Sequence, residues 1–156
     1  MNQFFISLAS VAFTLVSVPA AAGADAVSLS SDVKVDKITL ENGKETHVLV
    51  TPEKVVPGDK LVFSTQFHNN GEAAVDSFVV TNPLPEGVTY LTDGSDNAVV
   101  SVDGGKTWGP LSTLTVVDDK GGKRAAQAAD VTHVRWSVAV IAPGGSGAVS
   151  YRAIVR

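Results

Sequence analysis

The amino-acid sequence predicts an all-β fold, built from antiparallel strands as a sandwich or a barrel. Apolar residues alternate with polar ones or form short runs rich in Val, Thr and aromatic residues, and Gly, Pro, Asn or Asp bounds each run. About eight or nine such runs follow one another at a spacing of roughly 8–12 residues. One apolar and one polar face on each strand favour antiparallel sheets with one face in solvent.

Residues 1–24 have the pattern of a cleaved secretory signal peptide. They contain no Asp, Glu, Lys or Arg, and a mainly apolar stretch over residues 4–18 is followed by Pro19 and a run of small residues. Cleavage after Ala22 and cleavage after Ala24 both fit this Ala-x-Ala arrangement. Because the apolar stretch is shorter than the roughly 18–20 residues that cross a bilayer, a retained membrane anchor is disfavoured.

The signal pattern and the composition limit where the protein can be located and what it can bind. A secretory signal would place the protein in the periplasm, at the cell surface or outside the cell. The sequence holds no Cys, so we expect neither a disulfide nor a thiol-ligated metal. A net charge of −4 offers no basic footprint for nucleic acid, and no later segment is apolar enough to span a membrane. We expect residues 25–156 to form a single β-sandwich domain.

The first predicted strands form a hairpin. Residues 33–40 and 46–50 flank Asn42-Gly43, which supplies the positive φ of a tight turn. A second turn follows at residues 56–59, where Pro at the second position fixes φ and Gly at the third permits a type II turn.

The next strand covers residues 60–68, in which a mainly apolar face alternates with a mainly polar one. A turn at residues 69–72 leads to residues 73–81, which we expect to be its antiparallel partner. The residues predicted to face the core are Leu61, Phe63, Thr65 and Phe67.

In the second half, residues 98–102 and 111–117 predict strands on either side of a turn at Gly104-Gly105. Residues 118–130 form a long polar connection, in which residues 124–129 could make one helical turn. The last strand is expected at residues 148–155.

The clearest strand pattern covers residues 131–140. We expect His133 to lie in solvent on the polar face. The residues predicted to share the apolar face are Val134, Trp136, Val138 and Val140.

Several short sequence motifs follow one another in a characteristic order along the chain. They read Val-Pro-Gly-Asp-Lys-Leu-Val-Phe at 56–63, His-Asn-Asn-Gly at 68–71, Val-Val-Thr-Asn-Pro-Leu-Pro-Glu-Gly-Val-Thr-Tyr at 79–90, Val-Arg-Trp at 134–136 and Ile-Ala-Pro-Gly-Gly-Ser at 141–146. In this order they resemble the conserved-repeat domain of bacterial and archaeal surface proteins, the eleventh in the domain-of-unknown-function series.

The resemblance covers about residues 50–156. It implies a Greek-key, immunoglobulin-like β-sandwich with a structural or adhesive role, and it carries over no catalytic residue. Asn82 stands where the family usually has Asp, so the resemblance implies no bound cation there. The family's modules usually occur in tandem, whereas this chain holds a single copy.

One motif outside the resemblance has a known geometry. Residues 101–108 fit the Asp-box pattern Ser-x-Asp-x-Gly-x-Thr-Trp, which sialidases and related propellers carry in several copies. A single copy cannot build a propeller, which needs repeats on the scale of a blade. We therefore interpret it as a structural hairpin, in which the Asp accepts turn amides and the Trp packs beneath. Its residues are Ser101, Asp103, Gly105, Thr107 and Trp108.

No other pattern predicts a catalytic, cofactor-binding or metal-binding site. The histidines have no metal-ligand spacing, and no Gly-x-Ser-x-Gly nucleophile motif occurs. Two acidic turns could in principle collect Ca²⁺, but neither has the EF-hand or nonapeptide spacing, and Asp and Asn favour turns for their own reasons. The histidines are His47, His68 and His133, and the turns hold Asp93, Asp96 and Asn97 or Asp118 and Asp119.

Three functions follow as hypotheses. The first is a non-catalytic envelope or cell-surface domain, structural or adhesive, that presents loops or an edge strand to a protein or glycan partner. The second is a subunit of an extracellular fibre, in which residues 25–32 form a free arm that adds to the sheet of another copy. We expect this arm to pair within its own domain instead. The third is a glycan-active enzyme, which we disfavour.

Overall fold

A computed structural model of the protein describes residues 26–93, 95 and 97–156. The predicted signal peptide lies outside the described residues. In the described residues the regular structure is β-strand apart from short 3₁₀ turns, so the predicted all-β antiparallel sandwich is confirmed. Its ten strands are β1 (Val27–Glu41), β2 (Lys44–Val50), β3 (Lys60–Asn69), β4 (Val75–Pro83), β5 (Val88–Leu91), β6 (Val99–Ser101), β7 (Thr115–Val117), β8 (Lys123–Ala125), β9 (His133–Ile141) and β10 (Ser146–Val155).

The strands form two facing sheets and a separate hairpin. Sheet A has the order β2-β1-β3-β10-β5, and sheet B has the order β4-β9-β6. The separate hairpin joins β7 to β8, and all strand pairs are antiparallel. The chain crosses between the two sheets from β3 to β4, from β4 to β5, from β5 to β6 and from β9 to β10.

The expected pairing of residues 60–68 with residues 73–81 is wrong. β3 lies between β1 and β10 in sheet A, whereas β4 pairs with β9 in sheet B. The reason lies in the turn that follows β3. The side chain of Asn69 is fully buried there and donates to the Ile141 carbonyl of β9, 3.0 Å away, so the turn carries the chain across to the other sheet.

The predicted turns at residues 42–43 and 56–59 are confirmed. Asn42 and Gly43 have φ of 52° and 80° and close the β1–β2 hairpin in register. Gly58 has φ of 93°, and the amide of Asp59 donates to the Val56 carbonyl at 3.0 Å. The Gly58 amide also donates to Val155 at 2.9 Å, so this turn is fastened to the end of β10.

The core fills the space between the inner faces of the two sheets. On β3, Leu61, Thr65 and Phe67 are buried as predicted. Tyr151 of β10 contacts both sheets, since its ring stacks on Phe63 at 4.8 Å between centroids and lies 6.2 Å from Trp136. The other buried apolar residues are Val35, Val75, Val80, Tyr90, Val100, Val131, Val134, Ile141 and Ala153.

The predicted apolar face of β9 is partly wrong. Val134 and Trp136 are buried, but Val140 is 58% exposed and Ile141 is buried in its place. The alternation of inward and outward side chains reverses between the cross-strand pairs Asp76–Val140 and Phe78–Val138. Ser77, between them on β4, has φ of 54°, in the left-handed region, so the backbone turns its faces over at this point.

The region between β6 and β9 also differs from expectation. Residues 111–117 do not form one strand, because Leu111–Thr113 is a 3₁₀ turn and β7 begins at Thr115. The helical turn considered for residues 124–129 is absent there. Arg124 lies in β8, and a 3₁₀ turn begins at Ala128, where the Asp130 carboxylate accepts from the Gln127 amide at 2.8 Å. The local cap, rather than the Ala-rich composition, determines where the turn starts.

The burial of Tyr151 makes the fold sensitive to alkaline pH. Burial raises the pKa of Tyr151 to about 12, above its ordinary value of 10.0. The folded state holds the phenol proton more tightly than the unfolded chain, so this contribution is complete below pH 10 and is lost as pH rises toward 12. We expect the free energy of unfolding to fall by up to about 2–3 kcal/mol over that window.

The measurement is urea unfolding between pH 8 and 12, with Tyr151→Phe as the matched variant. The variant keeps the stacked ring and loses only a long contact of 3.5 Å to the Pro83 carbonyl. Its free energy of unfolding should fall less between pH 8 and 12 than that of the natural protein. An equal loss in both proteins would assign the effect to other groups.

Candidate functional site

The segment 101–109, here called the Asp103 loop, leaves β6 and folds back over sheet B. An antiparallel bridge between Val100 and Gly109 closes it. Asp103 is its centre: one carboxylate oxygen accepts from the Ser101 hydroxyl at 2.7 Å and from the amides of Lys106 and Thr107 at 3.0 and 2.9 Å. The other oxygen accepts from the Thr107 hydroxyl at 2.7 Å.

These bonds fix the ionised form of the carboxylate. Hydrogen bonds from Thr107 and Ser101 hold the pKa of Asp103 far below its usual range. The Ser101 hydroxyl, fully buried, also accepts from the Gly105 amide at 2.9 Å. Gly104 and Gly105 have φ of 77° and 88°, which Gly adopts without strain. The loop is therefore a rigid element whose polar groups are used internally.

The Asp103 loop places Trp108 on the outward face of sheet B. The indole N–H donates to the Gly105 carbonyl at 2.9 Å, and the guanidinium carbon of Arg135 lies 3.6 Å from the ring centroid. Arg135 Nε donates to the Thr81 hydroxyl at 3.1 Å. The ring of His133 meets Trp108 edge-on at 6.2 Å, so His133 is half-buried here rather than fully in solvent.

Comparison with known proteins gives no relative. The chain matches no protein-family model, no curated protein and no solved structure. The resemblance to the conserved-repeat surface domain therefore stays a prediction. The phrases that carry it occupy structural positions in the fold: the turn at 56–59 is bonded to β10, and the turn at 68–71 is bonded to the segment 141–146.

A cluster of charged side chains on the outward face of sheet A has no counterpart in the sequence analysis. Asp36 has a side chain only 6% exposed, and its oxygens accept from His47 Nδ1 at 2.8 Å and from Arg152 Nη2. Arg152 Nη1 also lies 3.0 Å from Asp93. Asp36 and Arg152 are 116 residues apart in the chain, so no local pattern could have joined them. The cluster fastens β1, β2, β10 and the turn after β5 together.

The three histidines lie at separate places. His47 contacts Asp36, His68 Nδ1 lies 2.7 Å from the Ser146 hydroxyl, and His133 contacts Thr132. Among the described residues, no group of three or more His, Asp or Glu side chains could hold a metal ion.

The acidic turns considered for Ca²⁺ have other contacts. Asp93 pairs with Arg152, and Asp96 lies outside the described residues. Asp118 accepts the amides of Lys120 and Gly122 within its own turn, at 2.9 and 2.8 Å. In the part of the chain that the structure describes, no helix is long and apolar enough to cross a membrane.

Among the strands that the structure describes, none pairs with the first half of β1 on the side away from β3, so this part of β1 forms an open edge of sheet A. β2 pairs with β1 only from Val35 onward, whereas β3 covers the other side of β1 from Val27 to Asp36. Alternate residues of an antiparallel strand bond to the same neighbour. The Ala26 carbonyl accepts from the amide of Asn70, next to β3, so the even-numbered residues of β1 bond to β3. The odd-numbered residues therefore direct their amides and carbonyls to the open side. We call residues 27–33 the open edge.

A groove on sheet A begins at the end of this edge, where Ser31, Asp32 and Val33 line it. Three adjoining cavities of about 510, 270 and 180 Å³ compose it. Leu29, which points toward the inner face, is 53% exposed. The apolar side chains that line the groove, here called the edge groove, are Val33, Val35, Val50, Pro52, Val55, Leu61, Phe63, Pro83, Pro85, Val88, Tyr151 and Val155.

Proposed function

We propose that the protein is a non-catalytic domain of the cell envelope or cell surface that binds an extended segment of a partner protein. The segment would add as a strand to the open edge and place alternate side chains in the edge groove. Export to that location rests on the signal pattern of residues 1–24. The observation that carries the proposal is a strand edge, unpaired among the described residues, whose residues Ser31, Asp32 and Val33 line two of the adjoining cavities.

The two features support each other physically. Main-chain hydrogen bonds to an open edge supply affinity for any extended chain, and pockets for alternate side chains supply specificity. The open edge covers seven residues and could pair with about 23 Å of extended chain. Natural edge strands are usually protected by charges or by a covering element. Here Asp32 protects one amide, that of Val33, at 2.9 Å, but Leu29 is left exposed on the inner face.

The charged cluster around Asp36 supports the same interpretation. It holds the start of the β1–β2 hairpin to β10, just beyond the open edge. Its polar groups bond to one another and lie on the outward face, away from the edge groove. We therefore propose that it stiffens the frame of the binding site and takes no part in a reaction.

The fibre hypothesis would require a free N-terminal arm. Residues 27–32 instead pair with β3 in β1, which is the arrangement that we expected from the sequence. With the arm in its own sheet, the open edge remains available to an external strand, and this favours binding of a partner over exchange of the arm.

The test is selection of binding peptides from a displayed library of random ten-residue sequences. We expect enrichment of peptides in which apolar residues alternate with polar ones, because only one side of the added strand faces the groove. Binding should slow hydrogen exchange at the amides of Leu29 and Ser31. Replacement of Leu29 by Lys should weaken the selected peptides at least about tenfold, since an inward charge blocks strand addition.

Ser28→Lys is the matched control, because Ser28 is the adjacent residue on the opposite, outward face of β1. It adds the same charge to the same strand and should leave affinity within about twofold. Failure to select any peptide, or equal loss in both variants, would contradict the proposal.

A further inference from the structure

The outward face of sheet B carries a simple distribution of charge. Among the outward positions of β4 and β9, Asp76 and Arg135 are the only residues with a formal charge at neutral pH. Exposed apolar side chains lie on the same face: Val79, between the two charges along β4, is 46% exposed, and Val140, opposite Asp76, is 58% exposed. No ion pair links Asp76 or Arg135 to another residue in the part of the chain that the structure describes.

Arg135 is held in a fixed orientation. Its guanidinium lies 3.6 Å over the ring of Trp108, and its Nε bonds to Thr81 on β4 at 3.1 Å. This arrangement draws the charge toward β4 and leaves the two terminal nitrogens of the guanidinium able to donate to a carboxylate. A stacked Arg loses less rotamer freedom on pairing than a mobile one. The Arg135 guanidinium is therefore preorganised to pair with a carboxylate of another molecule.

The position of Asp76 makes the face complementary to itself. Arg135 is opposite Thr81 and Asp76 is opposite Val140, so the two charges are five residues apart, or about 17 Å along the strands. A twofold axis perpendicular to the strands, midway between the Arg135 and Asp76 positions, relates two copies face to face. It places Arg135 of one copy over the cross-strand row that holds Asp76 in the second copy. Two packed sheets lie about 10 Å apart, a gap that the side chains of Arg and Asp together bridge.

We propose that this face binds the same face of a second copy, giving a closed twofold dimer. Each Arg135 pairs with Asp76 of the second copy. Val79 lies near the axis and meets its own counterpart, and Val140 packs against the aliphatic stem of Arg135 across the interface. Because the contact is isologous, it ends at two copies and does not propagate into a fibre.

Charge reversal tests the dimer. The natural protein should sediment as a reversible dimer at concentrations of about 0.1–1 mM. Arg135→Glu and Asp76→Arg should each weaken self-association about tenfold to a hundredfold, because each places two like-charge contacts in the interface. An equimolar mixture of the two variants should dimerise again, since both contacts then join opposite charges.

Lys44→Glu provides the control, because it reverses an exposed charge at the tip of the β1–β2 hairpin, away from this face. It should leave self-association unchanged. A natural protein that stays monomeric at about 1 mM, or a mixture that fails to dimerise while both variants keep their circular dichroism, would overturn the proposal. Peptide binding at the open edge is a separate readout, so each proposal can fail without the other.

Discussion

Replacing Asn69 by Ala is expected to destabilise the protein by about 3–5 kcal/mol. The Asn69 side chain is fully buried, and its Nδ2 donates to the carbonyls of Ala73, Ile141 and Ala142 at 2.8, 3.0 and 3.2 Å. Its Oδ1 accepts from the Gly71 amide at 2.9 Å. Removal of the side chain leaves these backbone groups without their partner. The Ile141 carbonyl is buried, and the penalty for an unsatisfied buried group exceeds the value of the bond itself.

Urea unfolding at neutral pH measures this loss, and Asn70→Ala is the matched control. Asn70 is the same residue type one position on, but it is exposed and makes only longer side-chain contacts of 3.0–3.4 Å. Its replacement should cost less than about 1 kcal/mol. Similar losses in the two variants would show that Asn69 does not join the sheets as the contacts indicate.

Asn69 also shows what the sequence could and could not predict. The Asn-Asn-Gly phrase correctly placed a chain reversal at the end of β3, because Asn and Gly have local reasons to occupy turns. The carbonyls that Asn69 bonds are up to 73 residues away, so their identity does not appear in a local pattern. For this reason the strand was predicted and its partner was not: β4 pairs with β9, not with β3.

The alternation of residues 60–68 predicted the correct core face, because burial of one face repeats with the period of the strand. The same rule failed at Val140, since the backbone at Ser77 adopts positive φ and reverses the faces of both paired strands. A serine in the sequence gives no signal that its backbone adopts positive φ.

The candidate binding surfaces depend on similar long-range relations. The open edge exists because β2 pairs with β1 only from Val35 onward, and β2 itself was predictable from the Asn42-Gly43 turn. That Leu29 stays exposed on the inner face of β1 follows from the order of strands in both sheets, which no periodicity encodes. The contact of Arg135 with Trp108 likewise needs the path of the Asp103 loop.

Replacing Gly147 by Ala is expected to destabilise the protein by about 3 kcal/mol. A Cβ atom at Gly147 would overlap Cζ of Phe67 and lie 2.7 Å from its Cε2. The two residues are direct cross-strand partners between β10 and β3, and the buried Phe67 ring covers the glycine. An aromatic ring over a cross-strand glycine compensates for the packing that glycine cannot provide. The methyl group would displace this ring and its contact with Phe78, whose centroid is 6.4 Å away.

A double-mutant cycle with Phe67→Leu separates this steric effect from a change in backbone freedom. Leu lacks the ring atoms that the new methyl group would meet, so Gly147→Ala should cost at least about 1–2 kcal/mol less in the Phe67→Leu background than in the natural protein. If the cost came from the backbone alone, it would be the same in both backgrounds. Additive losses would therefore refute the close approach of Phe67 to Gly147, and with it the register of β3 against β10 that forms the centre of sheet A.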